Sequence, residues 1–197
     1  MIRVAGITPG TEVNGPGERV LLSLQGCTLA CPGCFNPHTH PSGGGRLVGE
    51  RELAEELLEL QYPLHLTLSG GEPLQQAQAV HQLLRELCFR DISRNPTLKS
   101  FILFSGFTLE EAEKIPQWSD IMAFMDAAVL GRYEQAKLAS SFLRGSTNQQ
   151  LFLPRWSCWT REDFDVPNDA ELHIRNGQQR ITGFPTKELL EGLCQPL

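Results

Sequence analysis

Apolar and polar positions along the chain switch between periods of two and of 3.6 residues. Arg19-Val20-Leu21-Leu22-Ser23-Leu24 is an apolar run stopped by Gln25-Gly26, and it reads as a first strand. From Glu50 to Leu60 the apolar residues Leu53, Ala54, Leu57 and Leu58 follow the helical period, with the acids on the other face. Leu64-His65-Leu66-Thr67-Leu68 alternates strictly, as a second strand should. Gly70-Gly71 stops it, and Pro73 suits the first turn of a helix running to about Cys88, with Val80, Leu83, Leu84 and Leu87 on one side. Ser100 to Phe104 predicts a third strand, and Thr108 with Glu111 predicts a capping box on a short helix. Ile121–Met125 is read as a fourth strand, Tyr133–Ser140 as a helix and Leu151–Leu153 as a further strand. Glu171–Ile174 and Gln179–Thr182, joined through Arg175-Asn176-Gly177, predict a β-hairpin.

Strand, loop and helix in repeated order predict parallel βα units, hence an α/β fold. Ligands bind at loops beyond the carboxyl ends of such strands. The chemically informative residues fall there: Cys27 after the first strand, Gly70-Gly71-Glu72 after the second, Ser105 after the third and Asp126 after the fourth.

The chain of 197 residues is 41% hydrophobic and 20% charged, enough to bury a core, which excludes disorder and collagen-like structure. Its 17 Lys and Arg against 23 Asp and Glu give a net charge of −6, without a strong basic run. Binding to nucleic acid by bulk electrostatics is therefore disfavoured. No apolar run approaches a membrane span, and Met1–Ile7 do not look like a signal peptide, so a cytoplasmic protein without a membrane partner is expected.

Six cysteines in such a chain point to metal binding or catalysis rather than to disulfides. Cys88, Cys158 and Cys194 are scattered, whereas Cys27, Cys31 and Cys34 sit in one loop, where Pro32 and Gly33 permit a tight wrap. Three thiolates so close repel one another unless a cation holds them. They suit either zinc, with His38 or His40 as fourth ligand, or an iron–sulfur cluster with one iron left free. Ser69-Gly70-Gly71-Glu72-Pro73 offers close backbone approach and a negative charge, although a plain turn would use the same residues. Arg132 and Arg144 suit either a partner surface or carboxylate or plain surface ion pairs, and Cys88 reads as a buried inert thiol.

In their order these motifs resemble the radical S-adenosylmethionine superfamily, with its C-x3-C-x2-C loop after one strand and its Gly-Gly-Glu loop after the next. The likeness extends to the activating enzymes of anaerobic ribonucleotide reductase. It runs through Asn14-Gly15-Pro16-Gly17-Glu18-Arg19, Gln25-Gly26-Cys27, Cys31-Pro32-Gly33-Cys34-Phe35-Asn36-Pro37, Leu68–Leu74, Ser105–Thr108, Gly131-Arg132-Tyr133, Arg144–Gln149 and Ile181–Pro185. The resemblance implies an incomplete parallel (β/α) barrel with a small C-terminal β-hairpin extension. The core would cover 1–153; residues 154–197, a hairpin and a short helix, would pack on it as one domain.

It also implies that Cys27, Cys31 and Cys34 ligate a [4Fe–4S] cluster whose free iron chelates S-adenosylmethionine. Gly70, Gly71 and Glu72 would receive the cofactor's amine. Phe35 would lie against the adenine, with Gly33 in the same loop, and Ser105 would reach the ribose. No side chain would be catalytic in itself, since the radical derives from the cofactor. The implied partners are a glycyl-radical enzyme as substrate and a flavodoxin- or ferredoxin-like electron donor. Two other classes stay open: a radical enzyme acting on a small molecule or peptide, and a zinc-stabilised binding module without catalysis.

Overall fold

The computed structural model describes residues 1–60, 64–94, 100–175, 178–186 and 189. A seven-stranded mixed sheet organises them. Its strands are β1 (Ile2–Thr11), β2 (Arg19–Leu24), β3 (Arg46–Val48), β4 (His65–Gly70), β5 (Ser100–Ser105), β6 (Ala127–Leu130) and β7 (Gln150–Phe152), in spatial order β3-β1-β2-β4-β5-β6-β7. The central strands β2, β4, β5 and β6 are parallel neighbours. Antiparallel strands β1, β3 and β7 extend this core at its two margins. The α/β reading is thus observed, with antiparallel margins that the βα alternation did not predict.

Side-chain parity divides the sheet into two faces. Val20, Leu22, Leu24, Leu66, Leu68, Phe101, Leu103 and Ala128 join the larger core. This face is covered by α1 (Glu50–Leu60), through Leu53, Ala54, Leu57 and Leu58, and by α2 (Ala77–Arg94), through Val80, Leu83, Leu84 and Leu87. The opposite face carries Arg19, Leu21, Ser23, Thr67, Ser69, Ile102 and Phe104. Around Ile102, Ala127, Leu143 and Phe164 a second apolar cluster forms there, joined by Trp159 and Phe184. Much of this face is therefore packed by residues beyond 153. A two-stranded hairpin of β8 (Ala170–Arg175) and β9 (Gln178–Gly183) stands apart from the main sheet. It is tied to β1 and its end: the Glu12 amide donates to Glu171 at 2.9 Å, Thr11 and Thr182 hydroxyls meet at 3.3 Å, and Arg180 donates to the Ile7 carbonyl at 3.0 Å.

Two expected elements are corrected. Ile121–Met125 is not a strand: α4 (Trp118–Met122), after the short α3 (Leu109–Ala112), takes its first two residues, a turn takes the rest, and the strand follows as β6. Ile121 and Met125 are buried one helical turn apart, so their spacing fits both periods, and the true strand is the fully buried run Ala127-Ala128-Val129-Leu130. Tyr133–Ser140 is not a helix but holds only a 3-10 turn at Gln135–Lys137. Those three residues are all exposed, so a helix there would have no apolar face to bury. The capping box is as expected, with the Thr108 amide donating to Glu111 at 2.9 Å and the Glu111 amide donating to Thr108 at 3.3 Å. The turn residues Asn176 and Gly177, the short C-terminal helix and Cys194 lie outside the described residues.

Candidate functional site

The cysteine loop leaves β2 and is held from below by the chain that returns toward β3. The Gly26 amide donates to the Thr39 carbonyl at 2.7 Å, and the Cys27 amide to the His40 carbonyl at 3.0 Å. Gln25 adds a side-chain bond to the Pro41 carbonyl at 2.7 Å. Ala30 (φ 44°) and Gly33 (φ 72°) turn the backbone into the left-handed region, and the Cys34 amide closes on the Cys31 carbonyl at 3.1 Å. Burial pushes the Cys34 thiol above its ordinary value, against the bond from the Asn36 amide, with Cys31 and Cys27 adding to the rise.

The second loop locks against the first through its glycines. The Gly71 amide donates to the Leu24 carbonyl at 2.7 Å, and the Glu72 amide to the Gly26 carbonyl at 2.9 Å. A Cβ on Gly71 would stand 2.4 Å from the Gly26 carbonyl oxygen, so only glycine fits. Gly70 adopts φ +97°, and a Cβ there would meet the Leu24 backbone at 2.6 Å. The Gly-Gly pair thus fixes the spacing of two strand-end loops.

Glu72 is fully buried and accepts from the Leu74 amide at 2.8 Å, the Ser105 hydroxyl at 2.8 Å and the Gly106 amide at 2.7 Å. Burial raises its pKa from 4.5 to about 7 against the pull of these bonds. Glu72 therefore ties the end of β4 to the end of β5. Arg132 donates to the Gly106 carbonyl at 3.0 Å and pairs with Glu111, so it braces the loop after β5.

These loops line one cavity of about 590 Å³. Cys27, Cys31 and Cys34 all face it, as do Phe35, Gly70, Gly71, Glu72 and Ser105. Gly33, by contrast, packs beside the Gln135 side chain. The sequence thus brought eight of its nine named site residues to the cavity wall. Among the described residues, no three His, Cys, Asp or Glu side chains converge as a ligand set for a single metal ion. His38 and His40 also line the cavity; burial first, then Arg180 and His40, hold the His38 pKa below its ordinary value.

Asp126 is not at this end of the sheet. It precedes β6, and its carboxylate accepts from the amides of Phe101 at 2.9 Å and Cys158 at 3.3 Å. Arg19, which the sequence places at the start of the first strand, is a fully buried anchor. It donates to Thr67, Ser100 and the carbonyls of Pro16, Leu66 and Ser100 within 3.2 Å, and burial lowers its pKa to about 9. Tyr133, Arg180 and Phe184 also line the cavity. Tyr133 and Phe184 stand in motifs that carry the family likeness but have no site role assigned by it, because each reaches the cavity from an element distant in sequence.

A family model described as a 4Fe-4S single cluster domain matches residues 13–152. Three cysteines in one cavity-facing loop agree with that class. The chain is 31% identical over 161 residues to the anaerobic ribonucleoside-triphosphate reductase-activating protein of Enterobacteria phage T4, covering 79% of this chain and 97% of the relative. It is 34% identical over 151 residues to the protein of that name from Vibrio cholerae, covering 73% and 92%. The pyruvate formate-lyase-activating enzyme of Clostridium pasteurianum is 36% identical over 127 residues, 62% of this chain and 51% of the relative. The chain belongs to the family of radical S-adenosylmethionine activating proteins that these relatives represent.

Proposed function

We propose that this chain activates a glycyl-radical enzyme, such as an anaerobic ribonucleotide reductase, by removing a hydrogen atom from a glycine Cα. One observation carries the reading: the three clustered thiols and the Gly-Gly-Glu loop line the same cavity at the carboxyl ends of parallel strands. Cys27, Cys31 and Cys34 are soft donors suited to three irons of a [4Fe–4S] cluster. They line one cavity, and the match to a 4Fe-4S single cluster domain supports the cluster over a single zinc ion. When bound, the cluster supplies one electron that splits S-adenosylmethionine into methionine and a 5′-deoxyadenosyl radical, which becomes 5′-deoxyadenosine on taking the hydrogen atom.

The chain's own residues bind and orient. Gly70 and Gly71 hold the loop whose carbonyls face the cofactor's amine, and buried Glu72 fixes that loop against Ser105. Phe35 offers an apolar ring to the adenine, with Gly33 shaping the turn before it, and Ser105 stands at the ribose end. The sheet serves as an open, incomplete barrel over 1–153, with 154–197 as its extension, and an open side admits a protein segment. A flavodoxin- or ferredoxin-like protein supplies the electron, in a cytoplasmic setting. No helix among the described residues is long and apolar enough to cross a membrane.

The test is anaerobic reconstitution with iron and sulfide, reduction in the presence of S-adenosylmethionine, and addition of a candidate partner. The reading expects about four irons per chain, release of 5′-deoxyadenosine and a glycyl-radical EPR signal on the partner. Cys31→Ala should lose the first two together. A colourless protein holding one zinc and releasing no 5′-deoxyadenosine overturns it.

A further inference from the structure

The family match ends at residue 152, and the alignment with the phage relative covers 79% of this chain. The later residues nevertheless reach the shared cavity. Phe184 lines it and meets Phe35 edge-on, with ring centroids 5.9 Å apart and planes at 84°. Phe35 in turn packs on Tyr133 at 4.8 Å. Phe35 directly follows Cys34, so its backbone is part of the cysteine loop.

Phe184 is itself fixed. Its amide donates to the Asp169 carbonyl at 2.8 Å, beside Gly183, whose φ of +84° only glycine adopts without strain. A Cβ on Gly183 would stand 2.3 Å from that same carbonyl oxygen. The hairpin is anchored to β1 through Arg180 and Thr182, so the ring is presented from a braced support. Gly145 packs against both the Phe35 and Tyr133 rings: a Cβ there would be 2.9 Å from Phe35 and 3.0 Å from Tyr133. Phe35 thus contacts Tyr133 and Gly145, inside the span of the family match, and Phe184, beyond it.

We propose that Phe184 is a positioning residue: it fixes the Phe35 ring and the loop behind Cys34 in the orientation that receives the adenosyl group. This rests on the functional reading above. Edge-to-face aromatic pairs add a modest directional preference to burial, so an effect of about fivefold is expected rather than an all-or-none loss.

The test compares Phe184→Leu and Phe184→Tyr with the unaltered chain. Hydrogen exchange over residues 33–36 is first measured on the chain without added cofactor. Iron content, the S-adenosylmethionine concentration that half-saturates cleavage, and the rate at saturation follow after reconstitution. Phe184→Leu should speed loop exchange and raise the half-saturating concentration, each by about fivefold, with iron content and saturated rate unchanged. Phe184→Tyr keeps the ring and should restore both. Unchanged exchange and half-saturation in Phe184→Leu overturn the proposal. So does a loss of iron or fold in that variant, which would make Phe184 plain core packing. If the unaltered chain never cleaves S-adenosylmethionine, the functional reading fails, and the exchange comparison still decides whether Phe184 holds the loop.

Discussion

The Ser105 hydroxyl donates to the Glu72 carboxylate at 2.8 Å, joining the ends of two adjacent parallel strands inside the protein. Ser105 also accepts from the Phe107 amide at 3.0 Å, so its proton is directed at Glu72. The family's acidic loop is thus a brace before it is a ligand: both carboxylate oxygens are engaged by the protein.

This brace makes stability depend on pH. The Glu72 pKa is raised from 4.5 to about 7, chiefly by burial. Between those values the folded chain holds a proton that the unfolded chain has released. The stabilisation from the neutral acid is complete below the unfolded value and is lost as pH rises through the folded one. A difference of that size corresponds to on the order of 3 kcal/mol. Glu72→Gln should flatten this part of the stability profile. Urea unfolding at pH 4.5 and pH 8 checks it, and parallel profiles for the two proteins would reject it.

Arg19 sits on the inner face of β2, fully buried, with its donors spread over β4, β5 and the turn before β2. Arg19→Met keeps much of the volume but strands those acceptors away from water. A loss of about 3–4 kcal/mol is expected, from several buried groups left unpaired. The denaturant midpoint should fall with an unchanged slope. A loss under about 1 kcal/mol would show that water replaces the guanidinium.

Gly71 tests how tightly the two loops are coupled. Gly71→Ala pushes a methyl into the Gly26 carbonyl, which is backbone and cannot swing away. The displaced segment leads directly into Cys27. We expect about 1–3 kcal/mol of destabilisation together with a clear drop in iron bound after reconstitution. Gly43→Ala is the control, since nothing lies within 4 Å of its Cβ. Equal iron in the two variants would separate the glycine's packing role from cluster assembly.

The central βα order and most of the site were legible because contiguous residues carry them. The thiols, the two glycines, Glu72 and Ser105 lie in short motifs at strand ends, where parallel topology gathers side chains. The margins were not legible. β1 breaks register between Val4 and Gly6 and again between Thr8 and Thr11, so no clean alternation marks it. β3 has only three residues, two of them exposed. Ile121 and Met125 fit two periods at once, and only tertiary packing placed Ile121 in α4 and Met125 just past it. Tyr133 and Phe184 gained their meaning by meeting Phe35, a pairing that no local pattern encodes.

Ala30 offers a test that should stabilise. It lies between Cys27 and Cys31 with φ 44°, a conformation that costs a residue with a Cβ about 1–2 kcal/mol. The strain persists because Cys27 is pinned to the His40 carbonyl and Thr28 to Gln75, so the loop must reverse within the few residues before Cys31. Ala30→Gly removes the clash but gives the unfolded chain more freedom, which offsets about 0.5–1 kcal/mol of the gain. A net stabilisation of about 0.5–1 kcal/mol is therefore expected, with iron uptake at least equal to that of the unaltered chain. Thermal unfolding of both proteins measures the first and iron per chain the second. If Ala30→Gly is less stable, its methyl contributes packing that outweighs the backbone strain.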